Sequence, residues 1–217
     1  MLSFDIETMG LDNRTCPITV AAVYDRDEDV NTVFRFVEVC DKSPHGVKYV
    51  ENVGDIIEEF LCMLDSAKVL TAYNGIQFDI PFIQQQFSVQ DDRVRGWVFK
   101  TYDILEFSRR VLQRTFPLNM LLQINGFDVK SGDGLQAVRL AAAGQWLALE
   151  SYCADDARLT WEVAQRKRIL LPEARDFRLA KKADFDPKKC MCLYRGDLNE
   201  DKPGPAFSYG IEDISLS

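Results

Sequence analysis

The amino-acid sequence predicts an α/β fold, a mixed β-sheet flanked by helices. Three observations predict it. The first seven residues alternate with the two-residue period of a strand. Two more strand-like runs follow, joined by a charged turn. From Gly54 onward, strand-like and helix-like patterns interleave.

Leu2, Phe4 and Ile6 fall on one face of the first strand, and Ser3, Asp5 and Glu7 on the other. Ile18–Tyr24 and Val30–Val39, rich in Val, Thr and Phe, are the next strands. The charged turn Asp25–Asp29 between them predicts an antiparallel hairpin. Gly54–Leu64 carries helical spacing, with Ile56, Ile57, Phe60, Leu61 and Leu64 on one face, and Ala67–Ala72 reads as a short buried strand. Asp79-Ile80-Pro81 has the form of a helix start, with Asp as cap and Pro in the first turn, and this helix runs to about Phe87. Trp97–Tyr102 is a fifth strand candidate. Asp103–Gln113, Leu118–Ile124 and Gly134–Ala143 read as helices, and a long helix from about Gln145 to Leu170 is stopped by Pro172. Beyond Pro172 the periodicity fades. Residues 1–171 are therefore expected to form one domain, and 172–217 a tail, docked or partly disordered, with a turn or linker at Asp201-Lys202-Pro203-Gly204-Pro205.

A chain of 217 residues suits one domain, or one domain plus a tail, and can bury a substantial core. Its 47% hydrophobic and 28% charged residues are those of an ordinary soluble globule. No stretch of apolar residues is long enough to span a membrane. The N-terminus shows no basic-then-apolar leader, so an intracellular, soluble protein with no membrane partner is expected. Six cysteines scattered through regular structure fit reduced thiols, and the Cys190-x-Cys192 pair has no further Cys or His nearby to complete a zinc shell. The single histidine, His45, lies in the turn-like run Ser43-Pro44-His45-Gly46. A net charge of −8 argues against a protein that coats long duplex, because phosphate contacts drive such binding. It does not argue against an enzyme that grips a few nucleotides through metal ions. Two divalent cations would bring the charge to about −4.

Three acidic elements carry the functional reading. Asp5 and Glu7, two apart on a strand, project from one face roughly 6–7 Å apart. Such a pair belongs either to a solvated edge or beside a cation. Asp79, after the run Asn74-Gly75-Ile76-Gln77-Phe78, is on its own a plain helix cap. Tyr152 and Asp156, at i and i+4 of a helix, point to one side, whereas Asp155 is rotated away. Alone, Asp156 would be a surface acid. Taken in order, the three elements supply four carboxylates and one tyrosine. Phosphodiester hydrolysis uses two cations about 4 Å apart, and hard oxygen ligands suit Mg²⁺ or Mn²⁺.

The motifs Phe4-Asp5-Ile6-Glu7-Thr8, Asn74-x-x-x-Phe78-Asp79 and Tyr152-x-x-x-Asp156 resemble the three motifs of the DEDD (DnaQ-like) 3′→5′ exonuclease superfamily. The wording is closest to the proofreading domains of family B DNA polymerases, with Tyr73-Asn74-Gly75, Phe78-Asp79-Ile80-Pro81-Phe82 and Tyr152-Cys153. The resemblance covers about residues 1–170 and points to the tyrosine branch, since the sister branch has His where this chain has Ser151. It implies a ribonuclease H-like mixed sheet flanked by helices, two bound Mg²⁺ (or Mn²⁺), and release of nucleoside monophosphates from a single-stranded 3′ end. DNA is favoured over RNA. It further implies that Asp5 bridges both metals, that Glu7 and Asp156 complete the first, that Asp79 holds the second, and that Tyr152 orients the attacking water. Thr8, Leu11, Asn74 and Phe78 are implied contacts to the strand, Leu11 as a wedge and Phe78 equally as core.

The remaining signals have simpler readings. Gly132-Asp133-Gly134 lacks the lysine of a phosphate loop. Asp103, after a strand, reads as a cap of the next helix, with a supporting role behind the acidic residues as the lesser alternative. Lys181-Lys182 and Lys188-Lys189 read as solvated surface, whereas Arg93, Arg95, Lys100, Arg109, Arg110 and Arg114 form either a solvated face or a guide for the phosphate backbone. The remaining length leaves no room for a polymerase domain, so a proofreading role expects a partner polymerase, with stand-alone trimming or repair equally open. An exoribonuclease on the same site and an inactive exonuclease fold used for binding are the competing readings.

Overall fold

The alternation at the start of the chain is realised as β1 (Leu2–Thr8), the middle strand of a five-stranded sheet. The structure, a computed structural model, describes residues 1–40, 42, 45–112, 115–128, 135–166, 168–172, 190–195 and 209–213. Gly132-Asp133-Gly134, Arg114, the lysine pairs near 181 and 188, and the 201–205 linker lie outside these residues.

β1 pairs antiparallel with β2 (Ile18–Asp25), and β2 pairs antiparallel with β3 (Val30–Arg35), as the charged turn predicts. The expected strand Val30–Val39 breaks at Phe36. Its side chain turns into the core against Phe60 and Phe87, with ring centroids 5.9 and 5.0 Å away. Past this break, β4 (Val37–Val39) pairs with β5 (Val47–Tyr49) in a separate two-stranded sheet. The chain returns through α1 (Val53–Ser66) to β6 (Leu70–Ala72), parallel to β1. α2 (Asp79–Phe87) and α3 (Asp91–Lys100) lead to β7 (Thr101–Asp103), parallel to β6. The strand order β3-β2-β1-β6-β7 makes the sheet mixed, as expected.

Two expected elements differ. Trp97–Lys100 is helical rather than extended. Asp91 and Asp92 fall in the first turn of α3, and Val94, Trp97 and Val98 share the face that meets the core. Polar ties fasten that helix to the end of α1. Trp97 Nε1 donates to Asp65 Oδ1 at 2.7 Å, Lys100 Nζ to the Asp65 carbonyl at 2.7 Å, and Arg93 pairs with Asp65 and Glu58. The long C-terminal helix is also shorter than its apolar run suggests. α4 (Ile104–Leu112), α5 (Leu118–Ile124) and α6 (Gln136–Ala142) precede α7 (Trp146–Ala164), and β8 (Arg168–Pro172) then takes the residues expected to continue the helix. Ile169 and Leu171 are buried while Arg168 is exposed and Leu170 half-buried, the alternation of a strand. Asn125 brackets this strand, accepting from the Leu170 N–H at 2.8 Å and donating to its carbonyl at 2.9 Å. β8 pairs antiparallel with β9 (Cys190–Arg195), and β9 with β10 (Tyr209–Asp213), so regular structure is present beyond Pro172.

The main sheet divides the protein into two apolar layers. Leu2, Phe4 and Ile6 pack with α1, α2 and α3 through Phe60, Leu64, Ile80, Ile83 and Trp97. On the other face, Val20, Ala22 and Tyr24 meet Ala137 and Ala141 of α6 and Leu149, Tyr152, Cys153 and Ala157 of α7. Because Asp5 registers with Ala22 and Glu7 with Val20, the acids share that second face and lie under α7.

Phe60 is fully buried between Phe34 and Phe36, at centroid separations of 5.4 and 5.9 Å. Truncation in Phe60→Ala is expected to cost about 3–5 kcal/mol in urea unfolding with little change in the denaturant slope.

Candidate functional site

Asp5 and Glu7 are half-buried on a strand whose other side chains are buried. Glu7, Asp5 and the Cys153 thiol gather closely, one ligand atom from each lying within 4.8 Å of the others. Cys153 Sγ lies 3.5 Å from the Asp5 carbonyl and 3.6 Å from its Oδ2, the thiol donating to both oxygens. Burial, and then the charges of Asp5, Glu7 and Asp156, push this thiol well above its usual range.

Asp79 reaches the same strand from the opposite direction. Only Leu2 and Ser3 of β1 register with β6, which ends at Ala72. Farther along β1, the Ile6 N–H donates to Asp79 Oδ1 at 3.0 Å. Asp79 is thus the first residue of α2, and its carboxylate ties to the neighbouring strand rather than capping its own helix. Asp79 and Asp156 are each only 4% exposed, a costly state for a carboxylate. Burial, together with the charges of Asp103 and Asp156, raises Asp79 to about 7, while the Ile6 N–H pulls it down. The charge of Asp156, on α7, acts on both Asp79 and Cys153. Among the described residues the group close enough to share one ion is Asp5, Glu7 and Cys153; Asp79 and Asp156 lie outside it. The carboxylate oxygens of such a set suit hard divalent cations such as Mg²⁺ or Mn²⁺.

Tyr152 is buried in the layer containing Val20 and Ala22, the residues opposite Glu7 and Asp5. The Thr8 hydroxyl donates to the Gly10 carbonyl at 2.6 Å and shapes the loop that follows β1. Leu11, in that loop, is 87% exposed. Asn74 adopts a left-handed conformation, φ 72°, and its Oδ1 accepts from Arg109 at 3.0 Å. Phe78 is half-buried and packs on Phe82 at a centroid separation of 4.7 Å as part of the core.

Two residues of the site carry no sequence signal strong enough to find them. Cys153 reads as one of six scattered thiols, although it precedes Asp156 by three positions and so faces the same way. Asp103 reads first as a helix cap, with a supporting role at the site as the lesser alternative. It does cap α4, accepting from the N–H groups of Leu105 and Glu106 at 3.0 Å, but it also accepts from Asn74 and Ile76 at 2.9 Å.

Comparison with known proteins gives two findings. Residues 2–167 match a family model described as the RNase_H superfamily. Among solved structures, the family B DNA polymerase from the hyperthermophilic archaeon Pyrobaculum calidifontis aligns with a TM-score of 0.55 at 18% identity. The match covers 76% of this chain and 24% of the polymerase chain, so this chain spans about a quarter of that polymerase's length. At that identity the likeness is one of fold. No curated protein matches the chain.

The raised Asp79 carboxyl has a consequence for stability without metal. Between the unfolded value of 3.8 and the folded value of about 7, the native state holds a proton that the unfolded chain lacks. Stability from this group is therefore highest at low pH and falls as pH rises through 7. In EDTA at pH 8, Asp79→Asn is expected to melt above the wild type, by a difference of at most about 4 kcal/mol that shrinks toward pH 4. Parallel pH dependence of the two melting temperatures would remove Asp79 as the titrating group.

Proposed function

We propose that this chain, which belongs to the RNase_H superfamily, is a metal-dependent 3′→5′ exonuclease that removes nucleoside monophosphates from single-stranded nucleic acid, DNA in preference to RNA. The convergence of Asp5, Glu7, Asp79 and Asp156 carries this reading, because buried like charges are stable together only when a cation or proton separates them. The nuclease domain is assigned to residues 1–171. Tyr152, with Ser151 standing where the sister branch has histidine, supports the tyrosine class, and the fold-level likeness to a polymerase supports work beside a polymerase or in repair.

Asp5 would bridge the two ions, since it is grouped with Glu7 and adjoins Ile6, whose N–H holds Asp79. Glu7 and Asp156 would complete one shell and Asp79 the other. Two bound Mg²⁺ or Mn²⁺ would supply an activated water and charge neutralisation at the leaving oxygen. The protein's own contributions are positional. The Cys153 thiol holds the Asp5 carboxylate, the Ile6 amide holds Asp79, and the Tyr152 hydroxyl would orient the attacking water. Leu11, exposed on the loop that Thr8 ties, would act as a wedge for the terminal base. Asn74 would contact the strand with Phe78 packed behind it.

Incubation with 3′- and 5′-labelled single-stranded DNA and RNA, in Mg²⁺, Mn²⁺ or EDTA, tests this reading. Expected is metal-dependent shortening from the 3′ end, faster on DNA. A ladder from the 5′ end would refute the polarity, and no degradation of any substrate would refute the activity. Asp5→Asn should lower turnover by several orders of magnitude without unfolding the protein. Tyr152→Phe should lower it more mildly, by about 10²-fold, because one orienting hydrogen bond is lost rather than a ligand.

A further inference from the structure

We propose that Asp103 is a positioning residue that holds Asp79 in its metal-binding place by setting the backbone of the Asn74–Phe78 loop; this rests on the metal-site reading above. Asp103 ends β7 and registers with Ala72, the last residue of β6. It therefore stands beside the point where the chain leaves the sheet on its way to α2. Its side chain is 4% exposed and accepts four backbone N–H groups. Oδ1 takes those of Leu105 and Glu106, the ordinary work of a helix cap, and that of Asn74 at 2.9 Å. Oδ2 takes that of Ile76 at 2.9 Å. Two of the four bonds thus lead away from α4 and into the loop.

That loop determines where Asp79 sits. The Asn74 carbonyl accepts from Gln77 and Phe78 at 3.1 and 2.9 Å, and the Gly75 carbonyl from Ile80 at 2.8 Å, so the first turn of α2 hangs from Asn74 and Gly75. Gly75 lies too close to the sheet to carry a side chain. A Cβ there would lie 2.4 Å from the Ala72 Cβ and 3.3 Å from Phe4, with Asp79 Oδ2 at 3.8 Å. Asn74 holds a left-handed backbone, φ 72°, a conformation that needs outside support in a residue other than glycine. Asp103 provides that support from one side. Arg109, on the helix that Asp103 caps, provides it from the other through Asn74 Oδ1. A carboxylate is required because both oxygens must accept. An amide keeps one acceptor and turns its NH₂ group against either the Ile76 N–H or the cap.

Asp103→Asn is thus nearly isosteric and sets a donor against a donor on one side. Mn²⁺ binding followed by calorimetry on the intact protein, without substrate, is the direct measurement. Mn²⁺ affinity is expected to fall about 10–100-fold. The Mg²⁺ concentration for half-maximal turnover should rise in step, the KM for the oligonucleotide should change little, and excess Mg²⁺ should recover turnover. Asp103→Ser keeps a helix-capping oxygen but lacks the second acceptor, so it should show the same loss even if the Asn variant folds poorly. Wild-type Mn²⁺ affinity in a folded Asn or Ser variant, whatever its melting temperature, would overturn the positioning role and leave the nuclease reading standing. Absence of Mn²⁺ binding by the wild type would overturn both.

Discussion

A single hydrogen bond, from the Ile6 amide to the Asp79 carboxylate, fastens the start of α2 to the middle of the central strand. Without it, β1 and α2 would each carry acids with no fixed relation. With it, one carboxylate is set at the backbone of the strand whose neighbouring side chains are Asp5 and Glu7. The bond is available because β6 is short. Its pairing with β1 ends at Ser3, and the space beyond is filled by the Asn74 loop and the first turn of α2. A longer parallel partner would have covered the same edge and closed the site.

Gathering acids in this way works against folding, and the rest of the molecule is arranged to withstand it. The opposite face of β1 carries Leu2, Phe4 and Ile6 into the larger apolar layer, where Phe60, Trp97 and the α2 isoleucines are fully or almost fully buried. On the acidic face, α7 covers β2 through Leu149, Tyr152, Cys153 and Ala157 and so brings Asp156 down onto the cluster. Burial of several large side chains, each worth about 1.5–3 kcal/mol, holds the acids close despite their repulsion. Such strain is expected at a site built for something other than stability.

How much of this was legible follows from how local each feature is. The strand with Asp5 and Glu7 was readable because pleating is a nearest-neighbour property, and Tyr152 with Asp156 because helical spacing is one too. Asp79 is legible as a helix start, but the expected cap is instead an acceptor for the Ile6 N–H. A cap and a cross-strand acceptor look alike until the strand beside it is known. Trp97–Lys100 reads as a strand because its aromatic and β-branched residues suit either state, whereas in the fold it ends α3, tied to α1 through Trp97 and Asp65. The β8 residues Ile169 and Leu171 continue the apolar run of α7, and only three residues separate helix from strand. Cys153 is not legible as part of the site, and Asp103 only as a lesser alternative to a cap, because their contacts exist only once β1, β7, α7 and the Asn74 loop are brought together.

The distribution of charge carries the same logic outward. In sequence, the basic residues from Arg93 to Arg114 could form a track for phosphates. In the fold, Arg93 pairs with Asp65 and Glu58, Lys100 binds the Asp65 carbonyl, Arg95 pairs with Asp92, and Arg109 and Arg110 both engage Glu106. These cations are largely neutralised by their own neighbours, and Arg109 serves the loop through Asn74. A chain with net charge −8 and its central basic residues paired this way has little long-range attraction for a polyanion. If the carboxylate cluster takes up divalent cations, the positive charge that meets the phosphate is concentrated at the reacting bond. Such a protein would hold a strand weakly along its length and firmly at its end, as a trimming enzyme requires.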